Sequence, residues 1–191
     1  MNLPNRLTML RIVMIPLFLV FLCIPMPLPD AVCRICAAAL FALASLTDML
    51  DGKIARRYHL VTDFGKLMDP LADKCMVISA MLGILVYCPD MRYGFVWAAA
   101  IVVFRELAVT SLRLLAASSG GEVIAAGWLG KVKTVTQIIS ILLVLLEPVV
   151  LPFDWIRTYH PLSWLSVIVM SVMTLWSGAA YFVSYSKYLK G

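Results

Sequence analysis

The chain has 191 residues, of which 62% are hydrophobic and only 14% charged, and its net charge is +5. Soluble domains hold roughly 25% charged residues, so this composition excludes a water-soluble globular protein and describes an integral membrane protein built as one catalytic-sized domain, residues 1–191. The basic residues are scattered beside apolar runs and form no stripe for a duplex, so the excess charge is read as topology and contact with anionic membrane lipids, with no nucleic-acid partner.

A spanning helix needs about 20 mostly apolar residues, and six stretches qualify. The first covers residues 8–25. Its basic start and apolar run resemble a secretory leader, but a small-x-small cleavage site is missing, so an uncleaved span is expected. The second, residues 31–50, carries Cys33 and Cys36; a single CxxC with no second pair and no nearby His reads as ordinary membrane cysteines. The third covers 67–87, the fourth 93–115, the fifth 135–151 and the sixth 161–185. The breaks "PMPLPD", "CPDMRYG", "SSGGE" and "LPFDWIRTYHP" carry turn residues. Backbone polar groups in lipid must be satisfied within the segment, so an all-α protein of six transmembrane helices is expected. Eleven basic residues, from Arg6 and Arg11 to Lys187 and Lys190, fall on the side of the two termini, against Arg34, Arg92 and Arg157 opposite; the basic side is read as cytoplasmic. Trp155, Trp164, Trp176 and Tyr188 are candidate interfacial anchors.

The stretch "TDMLDGKIARRYHLVTDFGKLMDPLADK" is out of character with this chain. Asp48 and Asp51 lie three apart at the end of the second span, and Asp69 and Asp73 lie four apart at the start of the third. Either spacing puts both carboxylates on one helix face. The segment between the spans is short, so the spans are expected to be neighbours with both pairs facing one cavity. An ionised group near mid-bilayer costs about 2.5–3.5 kcal/mol on insertion scales, and four unpaired carboxylates repel one another. Hard cations such as Mg²⁺, Mn²⁺ or Ca²⁺ remove that repulsion. Four negative charges balance two divalent ions, an arrangement suited to phosphoryl displacement. Gly52, Ala55 and Gly65 leave room for a bulky ligand, and Arg56 offers a fork of donors to phosphate oxygens. Together these describe a nucleotide diphosphate pocket. Asp69-Pro70 also has the form of a helix start, and Asp63 that of a cap; helix capping accounts for one or two acids but not for the set.

The pattern Asp48-x2-Asp51-Gly52-x2-Ala55-Arg56-x8-Gly65-x3-Asp69-x3-Asp73 resembles the signature of the CDP-alcohol phosphotransferases, with eight defined residues across 26 positions. The resemblance implies a six-helix membrane fold, usually a homodimer, with two divalent cations (Mg²⁺ or Mn²⁺) held by Asp48, Asp51, Asp69 and Asp73. It implies that Gly52, Ala55, Arg56 and Gly65 line the cytidine nucleotide, and that Asp73 is the base that takes the proton of the acceptor alcohol.

The acceptor must be read elsewhere. Arg105 and Arg113 lie eight apart on one face of the fourth span, and Lys131 and Lys133 open the fifth. Positive-inside anchoring explains the lysines alone; Arg105 within "IVVFRELAVTSLRLL" fits it less well. Together they suit a dianionic phosphate, which an acceptor such as serine or choline lacks. Glu106 could pair with or orient one of these charges. "NLPNRLTMLRIVMIPLF", "FRELAVTSLRLL", "GKVKTVTQ" and "TLWSGAAYF" resemble the branch of the family that moves a phosphatidyl group from CDP-diacylglycerol to glycerol 3-phosphate in a bacterial inner membrane, at a site facing the cytoplasm. That resemblance implies that Asn5, Thr8 and Arg11 serve the donor diphosphate, and that Arg105, Arg113, Lys131, Lys133 and Thr134 hold the glycerol phosphate. Asn5 and Thr8 equally have the form of a helix-capping pair. Inositol phosphate or phosphatidylglycerol as acceptor, or an ion or proton pathway along the acids, are the alternative readings.

Overall fold

In the computed structural model the chain folds into helices α1 (Leu3–Cys23), α2 (Asp30–Arg57), α3 (Asp63–Tyr87), α4 (Arg92–Ser118), α5 (Trp128–Val150), a short α6 (Asp154–Tyr159) and α7 (Pro161–Leu189). The structure describes residues 3–57, 63–118, 127–151 and 153–189, and within them the side chains except those of residues 3, 4, 50–57, 63, 64, 66 and 187–189. Six stretches among the described residues are helical, long and apolar enough to cross a membrane, as the sequence predicts, and no strand occurs among them. The helices overrun the apolar runs: α2 continues to Arg57, α5 begins at Trp128 and α7 reaches Leu189. Apolar length measures the part in hydrocarbon, whereas a helix continues into water wherever its residues allow it.

α3 begins at Asp63, so Asp69-Pro70 is not a helix start; Pro70 lies inside α3, as Pro16 lies inside α1 and Pro148 inside α5. Such breaks are tolerated in spanning helices because neighbours re-satisfy the freed carbonyls. A capping role for the Asp63 side chain falls outside the described residues, as does the "SSGGE" loop, apart from its first serine. The expected break "LPFDWIRTYHP" contains α6. His160 ends it in the left-handed conformation (φ 46°), with its N–H donating to the Ile156 carbonyl at 2.8 Å, and Pro161 starts α7.

α1 packs chiefly against α2 and α3, and α7 against α5 and α4, while α2 also meets α5 and α3 meets α4. The two acidic helices, expected to be direct neighbours, touch each other only lightly; α1 fills the groove between them. Buried alanines on those helices (Ala37, Ala38 and Ala44 on α2, Ala72 and Ala80 on α3) let the backbones come close. Phe18 of α1 meets Phe41 of α2 with ring centroids 6.0 Å apart. Trp164, expected at an interface, packs instead against the core over Gly94, where a Cβ would come within 2.3 Å of its ring. Trp155 and Trp176 are exposed. Glu147, an acid inside "LLVLLEPVV", is buried and accepts from the backbone N–H groups of Leu162 and Ser163 at 2.8 Å each, and from the Ser163 hydroxyl. It caps the first turn of α7 from a neighbouring helix, where the free amides favour an anion.

Candidate active site

The site is assembled on α1. Thr8 and Arg11 lie one turn apart and both are buried, at 1% and 0% exposure. The Thr8 hydroxyl donates to Asp69 Oδ1 of α3 at 2.6 Å, and Arg11 Nη1 pairs with Asp48 Oδ1 of α2 at 2.8 Å. One helix face thus reaches a carboxylate on each neighbour. Arg11 is fully enclosed while Asp48 is half-exposed, so the guanidinium anchors the pair and the carboxylate keeps an open side. Asn5 lies one turn before Thr8 and is buried. All three sit inside α1, so Asn5 and Thr8 are not a capping pair. Gly65 is buried near the start of α3. Asp51, Gly52, Ala55 and Arg56 lie on the last turns of α2, with side chains outside the described residues.

Asp73 follows Asp69 by one turn on the same face of α3 and lines a cavity with residues of α4 and α5. It lies within electrostatic reach of Asp48 and Arg11 on one side and of Lys133 and Glu106 on the other. It therefore joins the acidic cluster to the basic one. The described carboxylates are hard oxygen donors of the kind Mg²⁺ and Mn²⁺ take. Among the described residues no three His, Cys, Asp or Glu side chains converge into a metal site by themselves. The four-carboxylate set needs Asp51, and the donor chemistry of Asp48, Asp69 and Asp73 fits it.

The basic cluster opens into a cavity of about 200 Å³ lined by Asp73, Arg105, Glu106, Arg113, Lys133 and Thr134 together with Tyr181 of α7. Five of the residues expected from sequence, Asp73, Arg105, Arg113, Lys133 and Thr134, thus share one space. Lys131 does not: it is exposed on α5 and absent from the lining, because two residues along a helix turn the side chain by about 200°. Glu106 is the hub of the cluster. Its Oε1 accepts from Arg105 Nη1 at 3.1 Å and from the Lys133 ammonium. Arg105 also donates to the Ser177 hydroxyl at 2.7 Å, lies over the Tyr181 ring at 5.4 Å, and rests its stem on Gly178, where a Cβ would meet Arg105 Cγ at 3.2 Å. Ser177, Gly178 and Tyr181 are therefore the α7 contribution to the site. Their spacing of one, three and four residues was a readable helical signal, as was the lone Glu106 beside Arg105. Gln137, buried one turn beyond Lys133, had no signal in composition or charge.

Comparison with known proteins adds an independent line. Residues 1–182 match the family model described as CDP-alcohol phosphatidyltransferase. The chain is 41% identical over 189 residues to the CDP-diacylglycerol–glycerol-3-phosphate 3-phosphatidyltransferase of Bacillus subtilis (strain 168), covering 95% of this chain and 93% of that protein. It is 39% identical to the probable phosphatidylglycerophosphate synthase of Mycobacterium tuberculosis (strain ATCC 25618 / H37Rv), over 94% of this chain and 79% of the relative. A CDP-diacylglycerol–glycerol-3-phosphate 3-phosphatidyltransferase of Sodalis glossinidius (strain morsitans) is 35% identical over 95% of this chain and 93% of its own.

Proposed function

The chain belongs to the CDP-alcohol phosphatidyltransferase family, and from that premise we propose that it transfers the phosphatidyl group of CDP-diacylglycerol to sn-glycerol 3-phosphate, giving phosphatidylglycerophosphate and CMP. The observation that carries the reading is the single cavity in which Asp73 meets Arg105, Arg113 and Lys133. A carboxylate beside three cations suits an acceptor that presents a hydroxyl at one end and a dianionic phosphate at the other. The names of the relatives, which cover nearly their full lengths, support the same pair of substrates.

The protein is an integral membrane protein. CDP-diacylglycerol enters from the bilayer with its acyl chains in lipid. Asn5, Thr8, Arg11, Gly52, Ala55, Arg56 and Gly65 receive its headgroup, and Thr8 and Arg11 hold Asp69 and Asp48 in register with it. The family is generally dependent on divalent metal; Asp48, Asp51, Asp69 and Asp73 would hold two such ions, which when bound neutralise the diphosphate and the charge left on CMP. Arg105, Arg113, Lys133 and Thr134 fix the phosphate of the acceptor. Asp73 takes the proton of its 1-hydroxyl, the oxygen forms a bond to the phosphorus that bears diacylglycerol, and the bond from that phosphorus to CMP breaks. Positioning and electrostatic stabilisation supply most of the rate in such displacements. The bacterial relatives support a bacterial cytoplasmic membrane, the excess of Lys and Arg on the side of this cavity supports a site facing the cytoplasm, and the family resemblance supports a homodimer.

The test is an acceptor panel. Purified protein receives CDP-diacylglycerol with glycerol 3-phosphate, inositol phosphate, phosphatidylglycerol or serine, and CMP release is followed. Release with glycerol 3-phosphate alone is the expected result; release only with another acceptor overturns the assignment.

A further inference from the structure

Gln137 is 1% exposed, and its side-chain Nε2 has no hydrogen-bond partner among the described residues. Buried amides are almost always paired, so an orphan of this kind calls for an explanation. It lines a small cavity together with Asp73, Lys74, Val77, Glu106, Lys133 and Thr134, and all of these but Val77 also line the larger basic cavity.

Its position along α5 is what gives it meaning. Gln137 follows Lys133 by one helical turn, about 6 Å along the axis. That is about the reach of a three-carbon phosphate ester, from its phosphate to its far hydroxyl. With the phosphate held at Lys133 and Arg113, the hydroxyl-bearing end of the acceptor reaches the level of Asp73 and Gln137, which line the same small cavity. A primary amide offers two N–H donors and a carbonyl acceptor, and it carries no charge. It is suited to an alcohol oxygen and adds nothing to the hold on phosphate.

Resting on the reaction proposed above, we infer that Gln137 is a specificity-determining residue that binds the second hydroxyl, on the central carbon, of the glycerol phosphate acceptor. Bound acceptor pairs the orphan amide, and an acceptor without that hydroxyl leaves it buried and unpaired. A site built around such a pair discriminates against the deoxy analogue more strongly than shape alone does.

The experiment crosses a protein change with a ligand change. Parent protein and Gln137→Leu are assayed for CMP release with glycerol 3-phosphate and with 3-hydroxypropyl phosphate, which keeps the phosphate and the reacting hydroxyl but lacks the central one. The parent is expected to favour glycerol 3-phosphate by about tenfold or more in kcat/KM. In Gln137→Leu the preference narrows to within about a factor of two, through a loss on glycerol 3-phosphate alone. Equal losses on both acceptors mark a purely structural glutamine and overturn the inference, as does a parent that treats the two acceptors alike. Where Gln137→Leu turns over neither, thermal stabilisation of the purified variant by each phosphate measures the same difference without chemistry: equal stabilisation supports the inference, and a retained preference for glycerol 3-phosphate overturns it. A parent that releases no CMP with either acceptor refutes the reaction itself, a failure distinct from the loss of this residue's role.

Discussion

Glu106→Gln tests how the basic cavity is held open. One carboxylate oxygen of Glu106 serves both Arg105 and Lys133, and the three side chains are only 10%, 13% and 7% exposed for Arg105, Glu106 and Lys133. Because the two cations share that oxygen, their nitrogens lie within roughly 6 Å of each other. At an effective dielectric of about 20, like charges at that distance repel by about 3 kcal/mol. Glutamine keeps the shape and one carbonyl acceptor but not the charge that offsets this repulsion. The unfolding free energy of the variant is expected to fall by about 2–4 kcal/mol. A dianionic phosphate placed between the same cations substitutes for the lost carboxylate. Inorganic phosphate or glycerol 3-phosphate therefore raises the Tm of Glu106→Gln by several degrees more than that of the parent. The assay is thermal unfolding in detergent with phosphate or chloride at matched ionic strength, which removes general screening from the comparison. An unchanged Tm without phosphate shows that Glu106 does not restrain the pair. Equal phosphate shifts in parent and variant show that the anion binds elsewhere.

Four other outcomes follow from the same geometry. Asp73→Asn is expected to lower CMP release by about 10²–10⁴-fold with the fold intact by thermal unfolding; near-full activity removes Asp73 from the role of base. Arg113→Ala and Lys133→Ala are each expected to raise the KM for glycerol 3-phosphate by roughly tenfold with a smaller effect on kcat, and an unchanged KM relocates the acceptor. Chelation abolishes turnover and added Mg²⁺ or Mn²⁺ restores it; persistent full turnover after exhaustive chelation refutes the metal site. Gly94→Ala places a Cβ 2.3 Å from Trp164 Cη2, and the planar indole must shift as a whole to make room, so stability drops by about 1–3 kcal/mol with both KM values unchanged.

The parts legible in the sequence were those that lipid makes expensive. Six apolar runs stood out because the bilayer demands that length, and the clustered aspartates because charge is rare there. Arg105 stood out for the same reason, and the structure places it in the cavity with Asp73 and Lys133. Helix ends were less legible: Pro70 looked like a start and lies inside α3, since nothing in a local pattern shows whether neighbours will satisfy a freed carbonyl. Lys131 and Lys133 looked equivalent as charges. Helix phase separates them, and phase relative to a neighbour is a property of packing. Glu147 carried no legible role because its partners are the amides of another helix's first turn.

The least legible feature was the place of α1. A short connection between two acidic segments suggests that they pack on each other, yet α1 lies between them and touches both. The physical reason is in the charges themselves. Two helices that each present carboxylates to the same groove repel if pressed together, and the repulsion is relieved by a donor inserted from a third element. Arg11 and Thr8 are that insertion: a cation for Asp48 and a hydroxyl for Asp69. The resemblance carried by "NLPNRLTMLRIVMIPLF" gives both side chains to the donor diphosphate, and nothing in the stretch shows that they also hold the acids. Full burial of Arg11 sets it apart from a membrane anchor, since an anchoring arginine keeps its head in water. The acidic site is therefore a property of three helices, and a change on α1 is expected to disturb Asp48 and Asp69 together even though it alters no acid.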